Sequence, residues 1–295
     1  MAAMGFKARR LILGHNEMVS QRTQPEWDFL YWASTVKPDG FNVGDRVDLP
    51  DGRVFRLAMA GGTVYTEFGC ADAHATNANA AAPTQQSLAD LGITFDVASN
   101  TPAPGAIGSK YVTATIASPF GYTGDGSLLE NELCGAYIVI GNGISQHPQM
   151  RQITRHAALA SAGSLTVELD AALTTAVTVG ATRIEIMSNP YYGLTYSTSV
   201  GAYATFRGMP AIGATVGQYF WVQTKGACWI TSNSTTCDQA NDRDIYFVNG
   251  GSVVSGYDVT YTSSHPLMYQ KAGVAMDASS SGNSNAPFVN LQLDS

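Results

Sequence analysis

The chain has 295 residues, enough to bury a sizeable core without disulfide or metal staples. Hydrophobic residues make up 45%, which excludes a disordered chain, while charged residues make up only 13%, about half the usual share. The net charge of −7 excludes a general nucleic-acid coat, because neutralising phosphates takes a basic protein.

The charge is uneven. Up to Pro25 the cations Lys7, Arg9, Arg10 and Arg22 face Glu17 alone. The apolar run Leu11–Leu13 is too short for a signal-peptide core, and no stretch approaches the roughly 18 apolar residues of a membrane span. A soluble protein made in a cytoplasm is expected, with no membrane and no nucleic-acid partner. Residues 1–40 read as an extended arm. Within it Pro25–Trp32 concentrates aromatics, and one helical turn would place Phe29 and Trp32 on one face.

From Phe41 to about Gly69 the pattern is strand–turn–strand. Val43, Val47 and Leu49 precede the turn Pro50-Asp51-Gly52, then come Val54–Leu57 and Val64–Thr66. Asp-Gly between apolar alternations is a hairpin signal. An Ala-rich loop follows near 70–85, and Thr84–Leu91 predicts a short helix capped by Thr84 and stopped by Gly92. Further strands are predicted at Thr94–Val97, Tyr111–Ile116, Ala136–Ile140, Met150–Thr154, Ser164–Leu169 and Arg183–Met187. The last third predicts strands at Tyr219–Thr224, Cys228–Thr231, Ile245–Val248, Ser252–Val254, Tyr257–Tyr261, Ala272–Ala275 and Phe288–Leu293, with a tight turn at Asn249-Gly250-Gly251. Short strands at regular spacing imply sandwiches or small barrels. The fold class is mainly β, an N-terminal extended arm followed by two small β-sandwich or barrel modules. Their expected spans are 1–40 for the arm, 41–195 for the first β region and 196–295 for the C-terminal module.

Groups able to carry chemistry are few. No two of His15, His74, His147, His156 and His265 have metal-site spacing on a helix. Cys70, Asp72 and His74 would share one face of a strand, but residues of a small surface loop are the expected reading. Cys70, Cys134, Cys228 and Cys237 include no Cys-x-x-Cys pair, so no structural zinc is expected. A disulfide between Cys228 and Cys237 is sterically possible across a short hairpin. In a reducing cytoplasm buried free thiols are expected instead. Glu130 with Glu132 and Asp242 with Asp244 are paired acids of the kind a glycosidase uses, yet Asn241–Asp244 reads as a charged loop entering the Ile245 strand, and catalysis is not expected. Trp221 and Trp229 offer a sugar-stacking platform, although alternation along Tyr219–Val222 sends at least half of that strand to the core. No enzyme, no catalytic residue, no cofactor and no metal are expected.

Three segments resemble structural proteins of tailed bacteriophages. Gly52–Thr63, with Phe55-Arg56-Leu57 running into Ala60-Gly61-Gly62-Thr63, is similar to the opening strands of capsid decoration proteins. The ordered series Gly135–Tyr137, Gln149–Ile153, Leu165–Asp170 with Leu173, Ile184–Ile186 and Asn189–Tyr191 resembles a β module of phage virion proteins, with Ala172 where that pattern has a Pro. Gly217–Gly226, Asn249–Gly251, Ala272–Met276 and Val289–Leu293 resemble the closing barrel of decoration-type proteins. The resemblance implies a virion protein that decorates or cements the outside of a capsid and braces the shell. Its implied partners are the major capsid protein and copies of itself, as a homotrimer. Lys7, Arg9, Arg10, Arg22, Trp27, Phe29 and Trp32 would form an arm that docks on a neighbour and orders on assembly. The alternative is a receptor-binding or tail-fibre protein that recognises host surface glycan.

Overall fold

The structure is a computed structural model. It describes residues 30–72, 105–116, 127–141, 149–161, 163–177, 183–187, 189–196, 205–232, 243–255, 270–276 and 288–294. The protein is mainly β, as its composition and turn spacing require. Two compact units divide it: one is built from both ends of the chain, up to Asn79 and from Tyr191, and the other is Ala80–Pro190.

In the first unit the Asp51-Gly52 turn behaves as its sequence predicts. Gly52 takes φ +86° at the turn, and β1 (Arg46–Asp48) pairs antiparallel with β2 (Val54–Ala60), Val47 opposite Phe55. β2 then joins a ring with β3 (Cys70–Asp72), β9 (Tyr192–Thr195), β10 (Phe206–Pro210) and β11 (Tyr219–Trp229). The ring order is β2-β9-β3-β10-β11, and pairing of β11 with β2 closes it. Only the β2–β9 pair in this ring is parallel. A five-stranded ring has a narrow interior. Small residues fit it: Ala58, Ala60, Cys70 and Ala214 pack there with Leu194, Phe220 and Val222.

The same β11 enters a second ring. It pairs with β15 (Phe288–Gln292), followed by β14 (Lys271–Ala275), β12 (Asp244–Phe247) and β13 (Val253–Ser255). A parallel bridge from Val253 to Ser232, just beyond β11, completes the circuit. Cys228, Ile230, Ile245, Phe247, Val289 and Leu291 fill it. Gly250 takes φ +84° in the 3-10 turn Asn249–Gly251 that links β12 to β13.

In the second unit a five-stranded antiparallel sheet runs in the order β4 (Tyr111–Ile116), β7 (Gly163–Leu169), β6 (Gln149–His156), β5 (Tyr137–Gly141), β8 (Arg183–Met187). One face is apolar. Val112, Ile138, Ile140, Ile153, Leu165, Val167, Leu169 and Ile186 pack with Leu128, Leu133 and Leu173.

Four expectations are corrected. The chain was divided at 195, but β2 pairs with β9 and β11, so residues 41–72 belong with the C-terminal third and the 105–187 strands lie between them in sequence. The arm was carried to residue 40, but Leu30 is buried beneath Trp221, and Ser34 exchanges backbone hydrogen bonds with Tyr219 (3.1 and 2.7 Å). Burying Leu30 removes enough apolar surface to hold this segment on the body. Finally, Tyr219–Thr224 and Cys228–Thr231 were read as two strands, whereas β11 runs through both. Gly226, within it, takes φ +90° and lies so close to Arg53 that a Cβ would sit 2.9 Å from its Cα. The predicted Val64–Thr66 strand is a single bridge from Val64 to Ala214. The predicted elements at 84–91, 94–97 and 257–261 lie outside the described residues.

Candidate functional site: an uncovered apolar row on β11 and β15

β11 has two contrasting ends, separated by the register shift between Gln223 and Lys225. Phe220 and Val222 point into the first ring, so Trp221 points out of it by the two-residue period; past the register shift between Gln223 and Lys225, Cys228 and Ile230 point into the second ring, so Lys225, Ala227 and Trp229 point out of that one. At the Trp221 end the outward face is roofed. Leu30, Leu49, Phe55 and Leu57 pack against Trp221, and Phe41 meets its ring edge-on (centroids 5.2 Å, planes at 89°). At the Trp229 end there is no roof among the described residues. Trp229 is 45% exposed, and Phe288, its register partner on β15, is 56% exposed. Met276, also 56% exposed, extends the row, since its backbone N–H donates to the Phe288 carbonyl (2.8 Å). Directly opposed side chains on neighbouring strands touch, so the three form a continuous apolar patch. Exposed Asn290 and Gln292 of β15 continue the same face.

The Trp221/Trp229 platform expected from the sequence is therefore divided. Trp221 is 1% exposed and is core, and Phe288 takes its place beside Trp229. Of the arm residues, Lys7, Arg9, Arg10, Arg22, Trp27 and Phe29 lie outside the described residues. Trp32 is half-buried, between Leu30 and the Ser34–Tyr219 bridge.

No family model, curated protein or solved structure matches the chain.

The remaining candidates are engaged structurally. Cys70, expected in a surface loop, is buried inside the first ring, where its Sγ–H donates to the Gly208 carbonyl (3.2 Å). The Glu132 carboxylate is buried and accepts from the Leu129 N–H (2.6 Å), folding the turn back on itself, while Glu130 is exposed. Asp244 pairs with Lys271 on the surface (2.8 Å). His74, His147, His265, Asp242 and Cys237 lie outside the described residues. Among the described residues no three His, Cys, Asp or Glu side chains gather where they could hold a metal ion, and no helix is long and apolar enough to cross a membrane.

Cys70, Cys134 and Cys228 are free buried thiols. Burial pushes the Cys228 thiol up to about 12 and Cys70 higher still. The thiolate is the reactive form, so both are inert at neutral pH. Alkylation of the native protein near pH 8, mapped by peptide mass, is expected to spare Cys70 and Cys228. Both should label once the chain is unfolded. Labelling of either at the unfolded rate in native buffer would contradict the ring interiors described above.

Proposed function

We propose that this chain is a non-enzymatic structural protein that decorates or cements the outer surface of a tailed-phage capsid and stabilises the shell. The Trp229–Phe288–Met276 row is the observation that carries the reading. An apolar patch left open among the described residues of a doubly ringed β body suits adhesion, and aromatic residues in such patches dominate binding energy. Three further features support it: the acidic, weakly charged composition, the structural engagement of Cys70, Glu132 and Asp244, and the order of the three phage-like segments. Its partners are the major capsid protein and further copies of itself, as a homotrimer. Many modest contacts, each made by one copy, add up across a lattice.

A second reading keeps the same surface. Trp229 and Phe288 beside the amides of Asn290 and Gln292 also suit a glycan, with rings for stacking and amides for hydroxyl groups. That reading makes the chain a receptor-binding or tail-fibre protein.

The experiment adds purified protein to particles lacking it and counts bound copies. Hundreds per particle are expected for decoration. The Trp229→Ala/Phe288→Ala double variant should fall in occupancy at least about tenfold, a loss of about 1.4 kcal/mol per site, with its melting temperature unchanged. A handful of copies per particle, with glycan binding that the same variant abolishes, would replace decoration by the second reading. The arm is tested in the same assay. Removing residues 2–24 should lower occupancy, more so at high salt, where exposed charge contacts are screened.

A further inference from the structure

In the second unit, one buried histidine ties a turn to the sheet by a bond that exists in only one protonation state. The turn 129–135 precedes β5 and lies against the end of β6. His156, the last residue of β6, is 3% exposed. Its Nε2 lies 2.8 Å from the Leu133 N–H and must accept that proton. Its Nδ1 lies 2.8 Å from the Ala157 carbonyl and must donate. The two bonds together fix the neutral ring with its hydrogen on Nδ1. Asn131, held at φ +60°, closes the arrangement from the other side. Its N–H donates to the His156 carbonyl (3.1 Å), and its Oδ1 accepts from the His156 N–H (3.0 Å).

We propose that His156 is a proton-operated latch: a second proton on the ring releases the 129–135 turn from the end of β6. With Nε2 protonated, its N–H faces the Leu133 N–H, donor against donor, where water does not reach. A buried N–H without an acceptor and a buried charge are both costly, and moving the turn relieves both. The release would expose Leu133, which now packs in the core of this unit.

The titratable and charged groups on the packed elements are few. Glu130, Glu132 and Cys134 lie on the turn, Arg155 on β6 and Glu168 on β7. Burial holds the His156 ring below its ordinary value, while the Ala157 carbonyl and the charge of Glu130 act in the opposite direction. The sign follows. The contribution of the neutral ring to stability is complete above its ordinary value near 6.5 and shrinks as pH falls below it toward the depressed folded value. Exposed Glu130 is placed to attract the imidazolium once the turn has moved.

Hydrogen exchange on the full chain tests the latch, with rates corrected for the pH dependence of the chemistry. Between about pH 7.5 and pH 4.5, protection of the Leu133 and Cys134 amides should fall at least about tenfold, while the β7 amides in the same unit keep theirs. The His156→Gln variant, which can still accept and donate but gains no charge, should show no such pH dependence. Equal protection at both pH values, or an equal pH response in the Gln variant, would overturn the proposal. If the variant does not fold, ring-nitrogen chemical shifts of the native protein decide. Protonation of His156 should coincide with loss of Leu133 protection. A ring that protonates while Leu133 stays protected, or that stays neutral until the whole chain unfolds, would also overturn it.

Discussion

Trp221→Ala is expected to destabilise the protein by about 3–5 kcal/mol, while Trp229→Ala, eight residues along the same strand, should change stability by no more than about 0.5 kcal/mol. Trp221 has no exposed face to lose. It lies between the strand pair β2–β11 and the 30–49 segment, with Leu57 opposite it in register and Phe41 on its edge. Removing the indole leaves a cavity whose walls are strands fixed by backbone hydrogen bonds, so little of it can collapse. Trp229 stands half in water beside Phe288, so its removal opens no closed cavity among the described residues. Chemical denaturation of the two variants reads the difference directly. Comparable losses in both would mean that the Trp229 end of β11 is roofed like the other. The same comparison separates stability from adhesion, because the variant that keeps its fold is the one expected to lose particle binding.

The second large effect is at the end of the chain. Arg56→Ala is expected to cost about 2–3 kcal/mol, and Asp294→Ala about as much, with coupling of about 1–2 kcal/mol in a double-mutant cycle. Arg56 bridges 238 residues to grip Asp294 with two hydrogen bonds (Nε to Oδ2, 2.8 Å; Nη2 to Oδ1, 3.0 Å). A third N–H of the same guanidinium donates to the Gly44 carbonyl (2.9 Å), and the planar group lies over the Tyr191 ring (5.3 Å). The pair is largely shielded, with side chains 23% and 15% exposed, so its cost on breaking exceeds that of a surface ion pair but stays below that of a fully buried one. Lysine should restore only part of the loss, because it cannot reproduce the fork.

This pair also sets an acid limit. Burial alone would raise the Asp294 carboxyl, but the hydrogen bonds and charge of Arg56, with Arg46 and Thr224 behind it, hold it below the ordinary carboxylate range. Its contribution is therefore complete above about 3.9 and is lost as pH falls through the depressed folded value. Denaturation midpoints across that range should converge for the native chain and Asp294→Ala. A constant gap down to the lowest pH would show that the carboxylate charge is not what holds Arg56.

Several of the strands readable in the sequence have one wet face. β5, β7 and β15 alternate apolar and polar residues, and Asp51-Gly52 announces its hairpin. β3, β9 and β10 were missed, and they are the strands that close the first ring. Cys70-Ala71-Asp72 lies beside a low-complexity loop. Tyr192-Gly193-Leu194-Thr195 and Phe206-Arg207-Gly208-Met209-Pro210 carry Gly and Pro where strand signals count against them. Their strand state comes from neighbours far along the chain, which no local pattern reports. The exposed apolar row escaped the sequence for a related reason. Trp229 was visible, but Phe288 and Met276 join it only through a register set by β15 and β14. His156 carried no motif at all, since its partner is a backbone N–H 23 residues earlier.

The sharing of β11 by both rings governs the order in which a growing chain can be completed. Val54–Ala60 leaves the ribosome early, yet its partner Tyr219–Trp229 is made after the whole of the 105–187 sheet. The inserted unit has all its strands in hand while the outer unit still lacks its central one. Once β11 emerges it closes the first ring, but the second must wait for β15, and Arg56 of β2 for Asp294. A nascent chain halted between Met187 and Tyr219 thus holds one finished sheet while Val54–Ala60 still waits for β11, so a stop there leaves the earlier-made strand unpaired and the later-made sheet complete.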